Sequence, residues 1–179
     1  MKTWNLFAVI WAVVLLGAWL IREDYRAKQG EVVEIAITGY DPRDLLAGHY
    51  VTYRLDLGEA ASCTSRNVTQ GAYCLCLKIS GEGSAKADYG APCRSAKMEG
   101  CNIKLKGRCL YGFPFESGIE RYYIPEEYAP FLTTIPADSR VLARIDSNGR
   151  ASLQKLKVGG KDLTEYVAEQ KAAMHSPNQ

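Results

Sequence analysis

The chain has 179 residues, with 22 Lys and Arg against 20 Asp and Glu, a net charge of +2. A balance so nearly even excludes a molecule built as a whole for a polyanion, and 47% hydrophobic residues exclude wholesale disorder. Beyond an apolar leading segment, enough chain remains for one domain.

The leading segment is the strongest signal. Leu6 to Ile21 carries no charged or amide side chain. A helix from Trp4 to Ile21 is about 27 Å long, against about 30 Å of bilayer hydrocarbon. Trp4 and Trp19 lie near its ends, where indole rings favour the headgroup boundary. Lys2 gives the positive start of a signal peptide, but the run is long for one, and bulky Trp19 follows Gly17 and Ala18 where a small residue is wanted. Residues 1–28 are therefore expected to be an uncleaved signal anchor, a single transmembrane helix that meets the lipid bilayer through residues 4–21. Charge counting alone favours the opposite orientation, since Arg22, Arg26 and Lys28 outnumber Lys2. The cysteines reverse that choice.

Residues 29–174 read as one β domain. Glu31 to Thr38 is a strand with Val33, Ile35 and Ile37 on one face. Asp41 can cap and Pro42 can open a helical turn through Leu46, which Gly48 ends. Tyr50 to Leu57 alternates again, as does Tyr73 to Ile79. Gly81 to Gly100, rich in Gly, Ala and Ser, reads as a long loop. Ile103 to Tyr111 supplies one or two short strands and Ile119 to Ile124 another. Pro125 to Ala129 is expected to make one helical turn. Arg140 to Asp146 and Arg150 to Val158 flank Asn148-Gly149, a favoured hairpin pair. Asp162 to Ala173 has a helical apolar stripe, and residues 175–179 are expected to fray. The fold class expected is mainly β: an N-terminal transmembrane helix, then about seven strands in an antiparallel β sandwich or open barrel, with a short C-terminal helix.

Cys63, Cys74, Cys76, Cys93, Cys101 and Cys109 fall in one window, an insert at about residues 60–109. An even, clustered set in an exported chain implies three disulfides. Fifteen pairings are open, with one constraint. Cys74 and Cys76 share a face of one strand, which is poor geometry for a mutual bond, so each should reach a different partner across the sheet or in the following loop. Zinc is the rival reading, but no Cys-x-x-Cys knuckle exists, and the histidines are His49 and His175. No metal and no cofactor is expected. Disulfides put the domain outside the cytoplasm, so the expectation is a single-pass inner-membrane protein with its C-terminal domain in the periplasm. Lys86, Arg94, Lys97, Lys104, Lys106 and Arg108 give the insert a local basic bias. It reads as lysines on a hairpin edge, where they discourage strand pairing, and no nucleic-acid partner is expected.

Two segments carry a resemblance. Gly39-Tyr40-Asp41-Pro42-Arg43-Asp44-Leu45-Leu46-Ala47-Gly48-His49-Tyr50-Val51, after an anchor and a strand, resembles the bacterial family named for a Gly-Asp-Tyr-x-x-Leu-x-Tyr motif. Gly118-Ile119-Glu120-Arg121-Tyr122-Tyr123-Ile124-Pro125-Glu126 is similar to that family's later segment. Within the motif Gly48 and Tyr50 match, while His49, Tyr53 and Leu55 replace Asp, Leu and Tyr. The resemblance implies a membrane-anchored protein and brings no reaction with it.

Asp41, Arg43, Asp44, Gly48, His49 and Tyr50, with Arg121 and Tyr123, are the candidate ligand or partner residues. Their ordinary structural reading is a cap, ion pairs, a positive-φ glycine and a buried ring. Arg121 and Tyr123 should share a strand face, and Arg121 should meet Asp41 or Asp44 if the two segments neighbour each other. An anchor followed by a β domain is also the layout of signal peptidases, which need a serine nucleophile and a lysine base; the run Tyr40 to Ala47 holds no serine. No catalytic residue is assigned. The function expected is a membrane-anchored accessory or interaction protein, with a membrane-protein partner and the aromatic run Tyr111 to Tyr128 as contact surface. The alternative is a small-ligand-binding or hydrolytic protein using the Asp41–Tyr50 turn with Arg121.

Overall fold

The computed structural model describes residues 2–41, 50–63, 72–81, 83–132 and 134–175, without the side chains of residues 2–6, 8, 26, 27, 40, 41 and 175. The chain divides into two units, Met1–Gly30 and Glu31–Gln179.

The first unit holds α1 (Lys2–Lys28). Among the described residues no helix is long and apolar enough to cross a membrane. What stands of the expected transmembrane segment here is the helix itself.

The second unit is mainly β, as expected. Its first strand, β1 (Glu31–Asp41), is shared by two ladders. Residues 31–36 pair antiparallel with β7 (Arg140–Ile145), and residues 37–41 pair antiparallel with β2 (Tyr50–Leu55). The change of partner falls beside a bulge between Thr38 and Tyr40, where Gly39 takes φ 64°. A bulge residue in the left-handed region favours glycine and bends the strand. Val33, Ile35 and Ile37 alternate into the core as the period-2 pattern requires. Outside β2 lies the short edge strand β6 (Arg121–Tyr123); outside β7 lie β8 (Ala151–Val158) and β9 (Lys161–Asp162). The β7–β8 hairpin turns at Asn148-Gly149 as read from sequence. Asp146 Oδ1 accepts from the Asn148 and Arg150 amides at 2.8 Å each. α2 (Leu163–His175) packs Leu163 and Val167 onto the same core.

The Cys-rich insert builds a second antiparallel sheet, in the order β4 (Ala85–Pro92), β3 (Ala72–Ile79), β5 (Ile103–Arg108). Leu75, Leu77, Ile103 and Leu105 face the main core, which both sheets share. Cys74 and Cys76 point the other way, into a satellite cluster with Ala91, Met98 and Cys101. β3 is thus buried on both faces, the second being covered by the segment that follows β4. Three disulfides close the arrangement: Cys63–Cys109, Cys74–Cys93 and Cys76–Cys101. The neighbours Cys74 and Cys76 take different partners, as strand geometry demands, and no thiol is left free.

Four local expectations change. Residues 85–92 are a strand, not part of a loop; their small side chains hide a weak β propensity that the ladder with β3 and the Cys74–Cys93 bridge override. β1 runs on through Asp41, opposite Thr52 and three residues past the expected end, because the β1–β2 ladder extends that far; the cap expected of the Asp41 side chain lies outside the described residues. β6 is three residues long, and the turn after Pro125 is a 3-10 helix over Glu126–Phe131. The described residues hold nine strands, against about seven expected, because β4 and the two-residue β9 were not legible. The helical turn expected over Pro42 to Leu46 lies outside the described residues, as do positions 176–179.

Candidate functional site

β2 fixes the first part of the site by alternation. Val51 and Tyr53 enter the core, so Tyr50 and Thr52 emerge on the outer face. β6 docks antiparallel on β2 in the register Tyr50 to Tyr123, Val51 to Tyr122 and Thr52 to Arg121. Directly opposed residues share a face, so Tyr50, Arg121 and Tyr123 are gathered on one outer surface. The Tyr50 and Tyr123 rings meet edge to face, centroids 6.0 Å apart and planes at 61°. The Arg121 guanidinium lies 5.4 Å from the Tyr50 ring centre, a cation–π contact. Tyr123 is 72% exposed.

Two contacts anchor β6 in that register. The Tyr53 amide donates to the Glu120 carbonyl at 3.0 Å, and the buried Tyr53 hydroxyl donates to the Ile119 carbonyl at 2.5 Å. Burial, then the neighbouring Glu120 and Tyr122, push the Tyr53 hydroxyl well above the usual tyrosine range. Glu120 folds back on its own loop, accepting from the Ser117 amide (2.6 Å), the Ser117 hydroxyl (2.8 Å) and the Gly118 amide (2.8 Å). That carboxylate is spent on shaping the turn before β6.

Beside this patch lies a cleft of about 1010 Å³, between the β2–β6 edge, β5 and the β7–β8 turn. Lys106, Arg108, Arg121 and Arg150 line it, with Glu116 and the engaged Glu120 as its acids. Lys106, Arg108, Arg150 and Glu116 form no ion pair with any described residue. The Lys106 amide donates to the Gly149 carbonyl at 2.7 Å, which brings the hairpin turn, and Arg150 with it, against β5. Glu116 pairs through its backbone with Arg108, at 2.7 and 3.0 Å.

Of the residues chosen from sequence, Tyr50, Arg121 and Tyr123 come together. Asp41 sits opposite Thr52, and Thr52 opposite Arg121, so the three form one row across three strands. The two resembling segments therefore neighbour each other through β2. The side chain of Asp41 and all of Arg43, Asp44, Gly48 and His49 lie outside the described residues. The described contact of Arg121 is the Tyr50 ring. Tyr53, at the motif's Leu position, is core, and Leu55, at its last Tyr position, packs against the core. The aromatic run divides: Phe115 is buried and Tyr122 and Tyr128 pack on the core, whereas Tyr111, Phe113 and Tyr123 are exposed. Arg150 went unrecognised as a cleft residue. Only the backbone bond between β5 and the hairpin turn brings it beside Lys106, and no sequence spacing signals that.

The family model described as GDYXXLXY protein matches residues 12–156, reaching from within α1 into β8. No curated protein and no solved structure matches the chain.

Proposed function

The chain belongs to the GDYXXLXY protein family, and from that footing we propose that it is a membrane-anchored, extracytoplasmic interaction protein. The Tyr50, Arg121 and Tyr123 patch is its partner-contact face. The anchor rests on the apolar run Leu6 to Ile21, about 24 Å as a helix, extended by Trp4 at the headgroup boundary. Three disulfides with no free thiol support an oxidising compartment, hence a domain on the periplasmic side of the inner membrane.

The observation that carries the reading is the clustering of two tyrosines and an arginine on the outer face of β2 and its edge neighbour β6. Tyr and Arg are the residue types that dominate contact energy at protein interfaces. The partner expected is a membrane protein presenting carboxylates and apolar surface to this patch. The test is a photo-crosslinking residue placed at Tyr123 of the full chain in native membranes. A discrete adduct that Arg121→Ala weakens at least tenfold supports the reading. A diffuse smear, or no adduct with correctly inserted protein, removes it.

A second reading, a small ligand held by the Asp41–Tyr50 turn and Arg121, draws on one observation: Arg121 and Thr52 also line the cleft. It requires saturable ligand binding that Arg121→Ala abolishes.

A further inference from the structure

Three cations of the cleft remain without use. Arg121 is engaged over Tyr50, but Lys106, Arg108 and Arg150 have no ion-pair partner among the described residues. Glu116 is the one cleft acid not tied up in a turn. Like charges gathered around a cleft repel one another, and an anion relieves that repulsion.

The wall of the cleft continues into an apolar tip. Leu110 lines the cleft, and the turn it opens exposes Leu110 by 53%, Tyr111 by 58% and Phe113 by 62%. This turn is tied down at several points. Cys109 is bridged to Cys63, the Gly112 amide donates to the Cys63 carbonyl at 3.1 Å, and the Phe113 amide donates to the Leu110 carbonyl at 3.0 Å. The apolar side chains are therefore presented to solvent by a braced backbone.

Exposed Leu, Tyr and Phe next to unpaired Lys and Arg is the chemistry of a surface that rests on an anionic bilayer. The rings enter the headgroup–acyl boundary and the cations meet lipid phosphates. In the sequence, β1 follows α1 after Gln29 and Gly30. We infer that the Leu110–Phe113 turn, with Lys106, Arg108 and Arg150, docks the β domain on the anionic phospholipid surface of the membrane that carries it. This rests on the membrane-anchored reading for its geometry but not on the Tyr50–Tyr123 patch.

The test uses the full chain with Trp4, Trp11 and Trp19 changed to Phe and Phe113→Trp as the single indole. It is reconstituted into phosphatidylcholine vesicles with or without about a third phosphatidylglycerol, with brominated acyl chains as quencher. The expected result is at least twofold quenching and a blue shift of the indole in the anionic vesicles only. Arg108→Gln with Arg150→Gln, or 1 M salt, should return emission to the unquenched level. Each cation near an anionic surface strengthens contact about fivefold, so the double variant should lose roughly 25- to 30-fold. Flotation separates the two ideas. Protein that floats with both vesicle types, yet is never quenched, keeps the anchor and overturns the docking. Protein that floats only with anionic vesicles, and is quenched there, keeps the docking and overturns the anchor. Equal quenching in neutral lipid, or shielding from acrylamide without bromolipid quenching, overturns the docking in favour of apolar insertion alone or of a second protein copy.

Discussion

Replacing Tyr53 with phenylalanine removes one oxygen from the core and leaves the ring. That oxygen donates to the Ile119 carbonyl at 2.5 Å, and both residues are buried, at 2% and 5% exposure. Losing the bond and stranding a buried carbonyl costs about 1–3 kcal/mol, so about 2 kcal/mol is expected at neutral pH. For a domain of this size that lowers Tm by roughly 4–8 °C. The pH dependence makes the test sharper. Burial holds the folded-state hydroxyl above its ordinary value of 10.0, so above that pH the unfolded chain releases a proton that the folded chain keeps. The hydroxyl's contribution is complete below about pH 10 and then falls by about 1.4 kcal/mol per pH unit. Tyr53→Phe has no such term. The gap between wild type and variant should therefore stay near its full size to about pH 10 and close by about pH 11.5. Urea unfolding in mild detergent, followed by circular dichroism from pH 8 to pH 11.5, reads it directly. A gap below about 0.5 kcal/mol at pH 8, or one that does not shrink above pH 10, refutes the buried donor assigned to Tyr53.

Two further outcomes follow from the insert. Cys76→Ser with Cys101→Ser opens a bridge spanning 25 residues, for which chain entropy gives a cost of about 3.5 kcal/mol; urea titration of the oxidised proteins checks it, and non-reducing peptide mapping of the wild type should recover 63–109, 74–93 and 76–101 links only. Gly107→Ala drives a methyl group into the Glu116 carbonyl and the Phe115 ring, at a cost of about 1–3 kcal/mol, whereas Gly81→Ala meets nothing and should change stability by less than about 0.5 kcal/mol.

The main sheet was largely legible because its strands obey alternation and its hairpin has a turn pair of its own. Val33, Ile35 and Ile37 announce the buried face of β1, and Asn148-Gly149 announces the β7–β8 turn. β4 was not legible, because Ala85, Ala87, Gly90 and Ala91 carry little hydrophobic contrast. Their strand state comes from the partner strand β3, and at Gly90 a Cβ would meet the Tyr73 ring and a Leu75 methyl, so those side chains would have to shift. Strand alternation excluded a Cys74–Cys76 bond but could not select partners in a segment whose path depends on those bonds. The candidate site was legible in part. Alternation put Arg121 and Tyr123 on one face, while the β2–β6 register that adds Tyr50 is set by the long-range anchor from Tyr53 to Ile119.

The bridges have an order problem. A chain threaded across a membrane from its N-terminal side presents its sulfurs as 63, 74, 76, 93, 101 and 109. An oxidase joining each new arrival to the one before would yield 63–74, 76–93 and 101–109, and none of these is native. The 74–93 and 76–101 links cross each other inside the span of 63–109, so any couplings made in order of arrival would have to be exchanged before the sheet could close. On the exported reading proposed above, coupling in order of arrival would make shuffling part of maturation, and the yield of native protein should then track the supply of a disulfide isomerase.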